Sequence, residues 1–537
     1  MVASRSWTAK ALALLGLVVA ATAADPADLR AQTFDFPVIP RGTFSFETES
    51  HFFKAEERFR PSGAGLEGSV PFGDAWSAEG MGVDQLPGAE PVQARVRELM
   101  DQPDYRLDLG ISGVRMELEE IRFPLTLAYG ATSWLTVEAT MPIYRQRVDA
   151  THGYSPEGAN VGPNPAVVGD EDAVQGFLDA LADDAQAADE WAEGVCEEAD
   201  EDAPECQDAL DLAADAEGLR DELDDLFDAG PVLPLEGSQG GEAVDQRFVS
   251  LREALDGAGL DPQASNVPLP EEPLSGDEFR GLVMEPAFGT DGPPLDTFTD
   301  VWQVGDVEAA VSALFLDVGV DPADLEELEE ARFPLRFRSG GTVRYRFPTA
   351  EPDTMRNYVE MERHRGHPQL ELRSLNDLSW PGRAGLRADL RYAWAGSAEV
   401  PRRIHPVDAP LDPEAPVAVL DWTPGNTFEL DLDARVELTS ELALSAGYAF
   451  LTRGSESFAA TGENGDVDPS PLELDSDIRL HRAGFQLAFS TVDAWRGERT
   501  RLPFEVRGGW TRGISGTGER APRGRHIHLA LRVFIPR

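Results

Sequence analysis

The sequence predicts an all-β fold: a transmembrane antiparallel β-barrel of about twelve strands, with an acidic α-helical insertion in one extracellular loop. Three observations predict it: a secretory leader, apolar residues recurring with period two to the end of the chain, and connections that alternate between short and long. The clearest stretch is 121–143. Ile121, Phe123, Leu125, Leu127 and Tyr129 share one face of a strand, and Leu135, Val137, Ala139, Met141 and Ile143 share one face of the next. The opposite faces carry Glu120, Arg122 and Thr126, then Thr136, Glu138 and Thr140. A wall greasy on one side and polar on the other suits a strand set between lipid and a wet lumen.

In the leader, Arg5 and Lys10 precede an apolar run from Ala11 to Ala21, and Ala21-Thr22-Ala23 has the small residues that signal peptidase reads. Residues 1–23 are therefore expected to be a cleaved signal peptide. No later apolar run is long enough for a helix to span a bilayer. An exported chain with a barrel pattern belongs in the outer membrane of a Gram-negative type of envelope, with outer-membrane lipid as its surroundings. The two cysteines, Cys196 and Cys206, are expected to pair as a disulfide in that oxidising compartment.

Alternation places strands at 42–54, 113–130, 134–147, 304–318, 332–349, 368–379, 384–396, 427–439, 441–454, 476–492, 501–513 and 524–537. Gaps after even-numbered strands are short and the others long, the asymmetry of tight periplasmic turns and extended outer loops. Trp134, Trp380 and Trp495 lie beside short turns, where an interfacial girdle is expected. Tyr345, Phe347, Tyr392, Trp394, Tyr448, Phe450 and Trp510 lie near the opposite strand ends. Barrel precursors usually finish on an aromatic residue, whereas this chain reads Val533-Phe534-Ile535-Pro536-Arg537; the last strand is nevertheless expected. The predicted organisation is a leader (1–23), N-terminal barrel strands (24–150), the insertion (151–303) and C-terminal barrel strands (304–537).

Tyr129-Gly130-Ala131-Thr132-Ser133-Trp134-Leu135-Thr136, then Met141-Pro142, Gly305-Asp306-Val307-Glu308 and Arg346-Phe347-Pro348-Thr349 form a set of motifs. In these the chain resembles the outer-membrane transporter barrels named after the meta-pathway of phenol degradation, with Ala350 where a glycine commonly follows. The resemblance covers mainly 113–147 and 304–349. It implies a barrel and transport, with hydrophobic or aromatic solutes as the class.

The formal charge of −51 is concentrated in one place. Residues 151–300 carry 39 Asp plus Glu against four Arg and no Lys, a net −35. Helical spacing recurs there in Val174, Phe177, Leu178, Leu181, Ala188 and Trp191, in Leu212, Leu219, Leu223 and Leu226, and in Val244, Phe248, Leu251 and Leu255 before Gly257. Residues 258–300 read as extended loop. The acidic run Glu197, Glu198, Asp200, Glu201, Asp202 and Glu205 offers oxygen ligands to divalent cations but lacks the spacing of a calcium loop, so a solvated face is the favoured reading. So much negative charge argues against nucleic acid as a partner.

If the apolar parity meets lipid, the other parity lines a pore. On strand five that assigns Arg336, Arg338, Arg344 and Arg346; on strand seven Arg387, Asp389 and Arg391; on strand eight Glu429, Asp431, Asp433 and Arg435; and on strand eleven Glu505 and Arg507. The first four arginines are expected to pair against Asp389, Asp431 and Asp433. Residues 24–41 are too few for a plug domain, so occlusion is expected from lumen side chains or from the insertion as a lid. His526 and His528 share the inward parity and read as a neutral hydrogen-bonded pair; His364 and His367 with Glu362 are a weak metal candidate. No nucleophile or paired-carboxylate motif supports catalysis, and no cofactor or metal is called for. The sequence thus points to an outer-membrane channel passing small solutes passively. The alternative is a closed structural or surface-binding barrel presenting its acidic domain, and a membrane-edge hydrolase ranks third. Solute, gating and oligomeric state are not legible.

Overall fold

The computed structural model describes residues 38–60, 68–84, 86–198, 203–284, 297–299, 301–319, 335–351, 366–380, 383–404, 415–461, 467–496, 500, 502–518 and 520–535. The leader, Asp200-Glu201-Asp202, Glu362, His364 and His405 lie outside them.

Twelve antiparallel strands close into one barrel: β1 (Phe44–Phe59), β2 (Ile111–Gly130), β3 (Leu135–Ser155), β4 (Glu308–Gly319), β5 (Arg336–Arg346), β6 (Gln369–Trp380), β7 (Ala384–Ala395), β8 (Thr427–Glu437), β9 (Leu442–Arg453), β10 (Ile478–Ser490), β11 (Phe504–Thr517) and β12 (Pro522–Ile535). Each pairs with its neighbours in the chain, and β1 pairs with both β2 and β12. Closure leaves the barrel without an edge, as a wall in hydrocarbon requires. The alternation fixes which way each side chain points. Phe46, Leu127, Val343, Leu386, Phe485 and Leu529 face outward and are exposed, a surface for lipid to cover.

β2 and β3 are the longest strands, 20 and 21 residues, and outrun the rest at the end that bears the insertion. Along that extension the two faces exchange chemistry. The outward parity changes from Ile121 and Phe123 to Arg115, Glu117 and Glu119, and Lys54 on β1 pairs with both glutamates. The inward parity changes from Glu120 and Arg122 to Val114, Met116 and Leu118, all buried. β3 does the same, with Val148 buried opposite Leu118. Outside, the strand has left lipid for water; inside, it has left the lumen for a packed domain.

That domain is helical: α1 (Glu90–Met100), α2 (Glu171–Glu198), α3 (Pro204–Asp228), α4 (Gln239–Gly257) and α5 (Gly276–Met284). Val174, Phe177, Leu181, Ala188 and Ala192 form the buried stripe of α2, and Leu219, Leu223 and Leu226 that of α3. Ser238 Oγ caps α4 by accepting from Gly241 N at 3.1 Å. Cys196 and Cys206 form a disulfide between the end of α2 and the start of α3.

Two helices depart from the sequence reading. α1 lies in the β1–β2 connection, and α5 lies in the stretch read as extended loop. α5 begins with a reciprocal cap, Glu278 N donating to Ser275 Oγ and Ser275 N to Glu278 Oε2. Its Phe279 stacks on Tyr154 and His152 of β3, centroids 4.8 and 5.1 Å away. The helices, residues 72–118 and the tops of β1 and β3 share one continuous apolar core. A separate three-stranded sheet (Ala398–Arg403, Val417–Thr423, Ser457–Ala460) stands over β7–β10 with its own core around Leu420 and Trp422.

Met116 and Met141 sit on neighbouring strands but face the helical core and lipid respectively. Met116→Ala should cost the helical domain roughly 2–5 kcal/mol, read as a lower urea midpoint of Trp191 fluorescence in detergent. Met141→Ala should leave that midpoint in place; equal effects would contradict the exchange of faces.

Candidate functional site

Below the exchange of faces the inward parity is polar and encloses a cavity of 910 Å³. It reaches from Thr439 in the β8–β9 turn and Leu442 at the start of β9 to Gly513 and Pro522 near the insertion end. The lining varies around the barrel. β5–β8 supply long charged side chains, the neighbouring β9 and β10 supply mainly the small residues Ala443, Ser445, Gly447, Ala449, Gly484 and Ala488 beside Arg482, and charge returns on β11, β12 and β1 with Arg507, Arg532 and Glu47.

The ion pairs run along the wall, within one strand or between strands that are adjacent or two apart. Asp389, 1% exposed at its side chain, sits among Arg373 (2.5 Å), Arg391 (3.1 Å) and Arg387 (3.7 Å). Arg391 also meets Glu429 at 2.8 Å and Asp431 at 2.5 Å, and Arg482 reaches Glu429 at 2.7 Å. Arg344 pairs with Glu138 and Glu308 at 2.7 and 3.4 Å. Near the β12–β1 closure, Glu47 takes both Arg507 (2.6 Å) and Arg532 (2.5 Å). Side chains that lie flat along the wall leave the axis open.

Nine of the thirteen residues assigned to the pore line this cavity: Arg344, Arg387, Asp389, Arg391, Glu429, Asp431, Asp433, Arg435 and Arg507. Arg336, Arg338, Arg346 and Glu505 do not. Arg336 is held by Asp317 at 2.7 Å, Arg338 by Asp377 at 3.0 Å and Arg346 by Glu308 at 3.2 Å, while Glu505 is fully buried. The expected partners of these arginines are thus replaced by carboxylates facing them across neighbouring strands. Arg373, Arg482, Glu47, Glu138 and Glu308 went unassigned, although each shares its strand's inward parity. His51 was also missed. Its Nδ1 shares a 2.9 Å hydrogen bond with His526 Nε2, and Gln486 Oε1 accepts from His528 Nε2 at 2.9 Å, so His526 pairs with β1 rather than with His528. Among the described residues, no group of three or more His, Cys, Asp or Glu is placed to hold a metal ion.

The turn end is partly filled by backbone. Val38 and Ile39, 0% and 3% exposed, pack on the inward residues Leu375, Ala128 and Phe534, and Ile39 N donates to Thr136 Oγ1 at 2.9 Å. Besides the lumen side chains and the insertion expected to occlude it, the turn end thus takes in Val38 and Ile39 of an N-terminal segment too short to form a plug domain. Gly130 makes the approach possible: a Cβ there would lie 2.1 Å from Pro40 O.

Asp306 organises the rim. Its Oδ1 accepts from Thr349 N (2.9 Å) and Ala350 N (2.8 Å), its Oδ2 from Gly366 N (2.8 Å), and Thr349 Oγ1 accepts from Val307 N (2.9 Å). The Gly-Asp-Val-Glu and Phe-Pro-Thr motifs are thus the two halves of one staple. Gly305 has no room for a Cβ, which would lie 2.6 Å from the Tyr144 ring.

No protein-family model and no curated protein matches the sequence. Among solved structures, an outer membrane channel from Pseudomonas putida F1 is similar at 8% identity, covering 96% of this chain and 100% of that one with a TM-score of 0.40. A FadL homologue from Pseudomonas aeruginosa (8%, 95% and 99%, TM-score 0.25) and the P. putida toluene transporter TodX (9%, 93% and 91%, TM-score 0.25) are similar at greater distance. At these distances the work of the cavity has to be argued from its own geometry.

Asp306→Ala removes the acceptor of three backbone donors, each such bond to a charged group being worth about 1.5–3 kcal/mol. The expected result is faster proteolysis between Thr349 and Gly366 with the barrel intact. Unchanged cleavage there would remove Asp306 from its role as a staple.

Proposed function

We propose that this chain is an outer-membrane channel through which small solutes pass passively, along the cavity that the charged side chains of β5–β8 and the small residues of β9 and β10 help to line. One observation carries the reading: the arginines bond to carboxylates along the wall instead of across it, so the axis stays unfilled. The barrel exterior, apolar below the exchange of faces and charged above it, supports a place in an outer membrane.

The family resemblance implies hydrophobic or aromatic solutes, but the lining offers them little. Phe53, Leu442, Leu480 and Val492 are scattered among arginines, aspartates and glutamates. Polar solutes fit such a wall better. The closed structural barrel has one observation in its favour, the packing of Val38 and Ile39 in the turn end.

Conductance of the full-length protein in planar bilayers separates the two. Discrete channels are expected from the native chain. Ile39→Asp, which gives up an apolar anchor worth about 1.5–3 kcal/mol, should widen the turn end and raise the unit conductance. If neither protein conducts, the barrel is closed and the channel reading is wrong.

A further inference from the structure

We infer that the conduit selects for cations, so that the solutes passing it are small and positively charged, carrying an ammonium or guanidinium group. The inference rests on the channel reading and adds the sign of the cargo.

Charge along the cavity is unequal. Thirteen carboxylates and nine guanidiniums line it, a net of −4 with the histidines neutral. The distribution matters as much as the sum, because eight of the nine guanidiniums lie within 3.8 Å of a carboxylate. Arg391 alone meets three. An anionic solute therefore has to displace a carboxylate that strand register holds in place. A cationic solute displaces nothing; it joins a wall already carrying excess negative charge, as rings of Asp and Glu do in cation pores. Nor do β9 and β10 compensate: Ala443, Ser445, Gly447, Ala449, Gly484 and Ala488 bring no charge to the passage, and Arg482 of β10 is already bound by Glu429 at 2.7 Å.

The approach to the mouth works in the same direction. The described residues of 151–300, the segment whose sequence carries a net −35, share their core with the inward faces of the β2 and β3 extensions, which places most of that charge at the insertion end of the conduit. A field of one sign at an entrance raises the local concentration of counter-ions. Vestibule and conduit thus act in series on the same class of solute.

The test is the reversal potential of the full-length protein in a planar bilayer under a KCl gradient. The native channel should reverse toward the potassium equilibrium potential. Glu371→Gln, Asp433→Asn and Glu441→Gln together bring the lining from −4 to −1 and should move the reversal toward zero while the acidic domain stays intact. Arg391→Gln should move it the other way. The single variant Glu371→Gln, with a smaller shift of the same sign, serves if the triple variant does not refold. Conducting channels that prefer chloride, or whose reversal ignores these substitutions, would overturn the cation assignment and leave the channel reading standing. Absence of conductance from every protein would overturn the channel reading itself, and this inference with it.

Discussion

Backbone amides in hydrocarbon have no water to bond, so a chain that crosses a bilayer as strands has to close its hydrogen bonds on itself. The pairing of β1 with β12 meets that demand, and much else follows from it. With the side-chain period fixed at two, no strand can shift its register without turning lipid-facing residues inward. A strand that passes from one environment to another has a single remedy, exchanging the chemistry of its two faces at the level where the surroundings change. β1 does this after Phe52, with Lys54, Glu56 and Arg58 outside and Phe53, Ala55 and Phe59 inside. β2 and β3 do it at the matching height, where Ala55 pairs with Leu118 and Leu118 with Val148. The membrane boundary is written into three strands at once.

That exchange determines what the helical insertion is. A loop tethered above a barrel would bury its own core and leave the rim polar. Here Met116, Leu118 and Val148 of the wall and Leu219, Leu223 and Phe248 of the helices occupy one core. The acid is left to the outer faces of the helices, where water solvates it. Arg247 binding Asp215 and Arg95 binding Asp225 tie neighbouring helices, but pairs so exposed add little stability. The apolar stripe, continuous with the barrel, does the holding.

The barrel was legible because alternation and loop length are local signals, and each of the twelve strands produces them. The site was half legible. Parity says which residues point inward but not how far along the wall a guanidinium reaches, and so the expected Arg338–Asp431 type of pairing gave way to Arg338–Asp377 across one strand boundary. His51 and His526 lie 475 residues apart and meet only because the first and last strands do. Val38 and Ile39 resemble any short linker; nothing local distinguishes a segment that turns into the lumen. The reversal at 118–121 was readable in principle. As a change of phase, it looks like the end of a strand to any reading that expects one alternation throughout.

Why the interior is charged at all can be argued from cost. Replacing buried ion pairs by well-packed apolar residues is often neutral or stabilising, so a barrel filled for stability alone has little need of Asp389 among three arginines. Such a barrel would also interdigitate side chains from every wall to the density of a protein interior. Here β9 and β10 are cut back largely to glycine, alanine and serine, and glycines of the wall make room for polar neighbours. A Cβ at Gly447 would lie 2.5 Å from Asp433 Oδ1, and one at Gly509 2.4 Å from the His528 ring. Small residues that let charged and hydrogen-bonding groups lie flat leave the cavity beside them unfilled. That arrangement forgoes packing along the whole length of the cavity, a cost that the proposed channel accounts for and a plugged anchor does not.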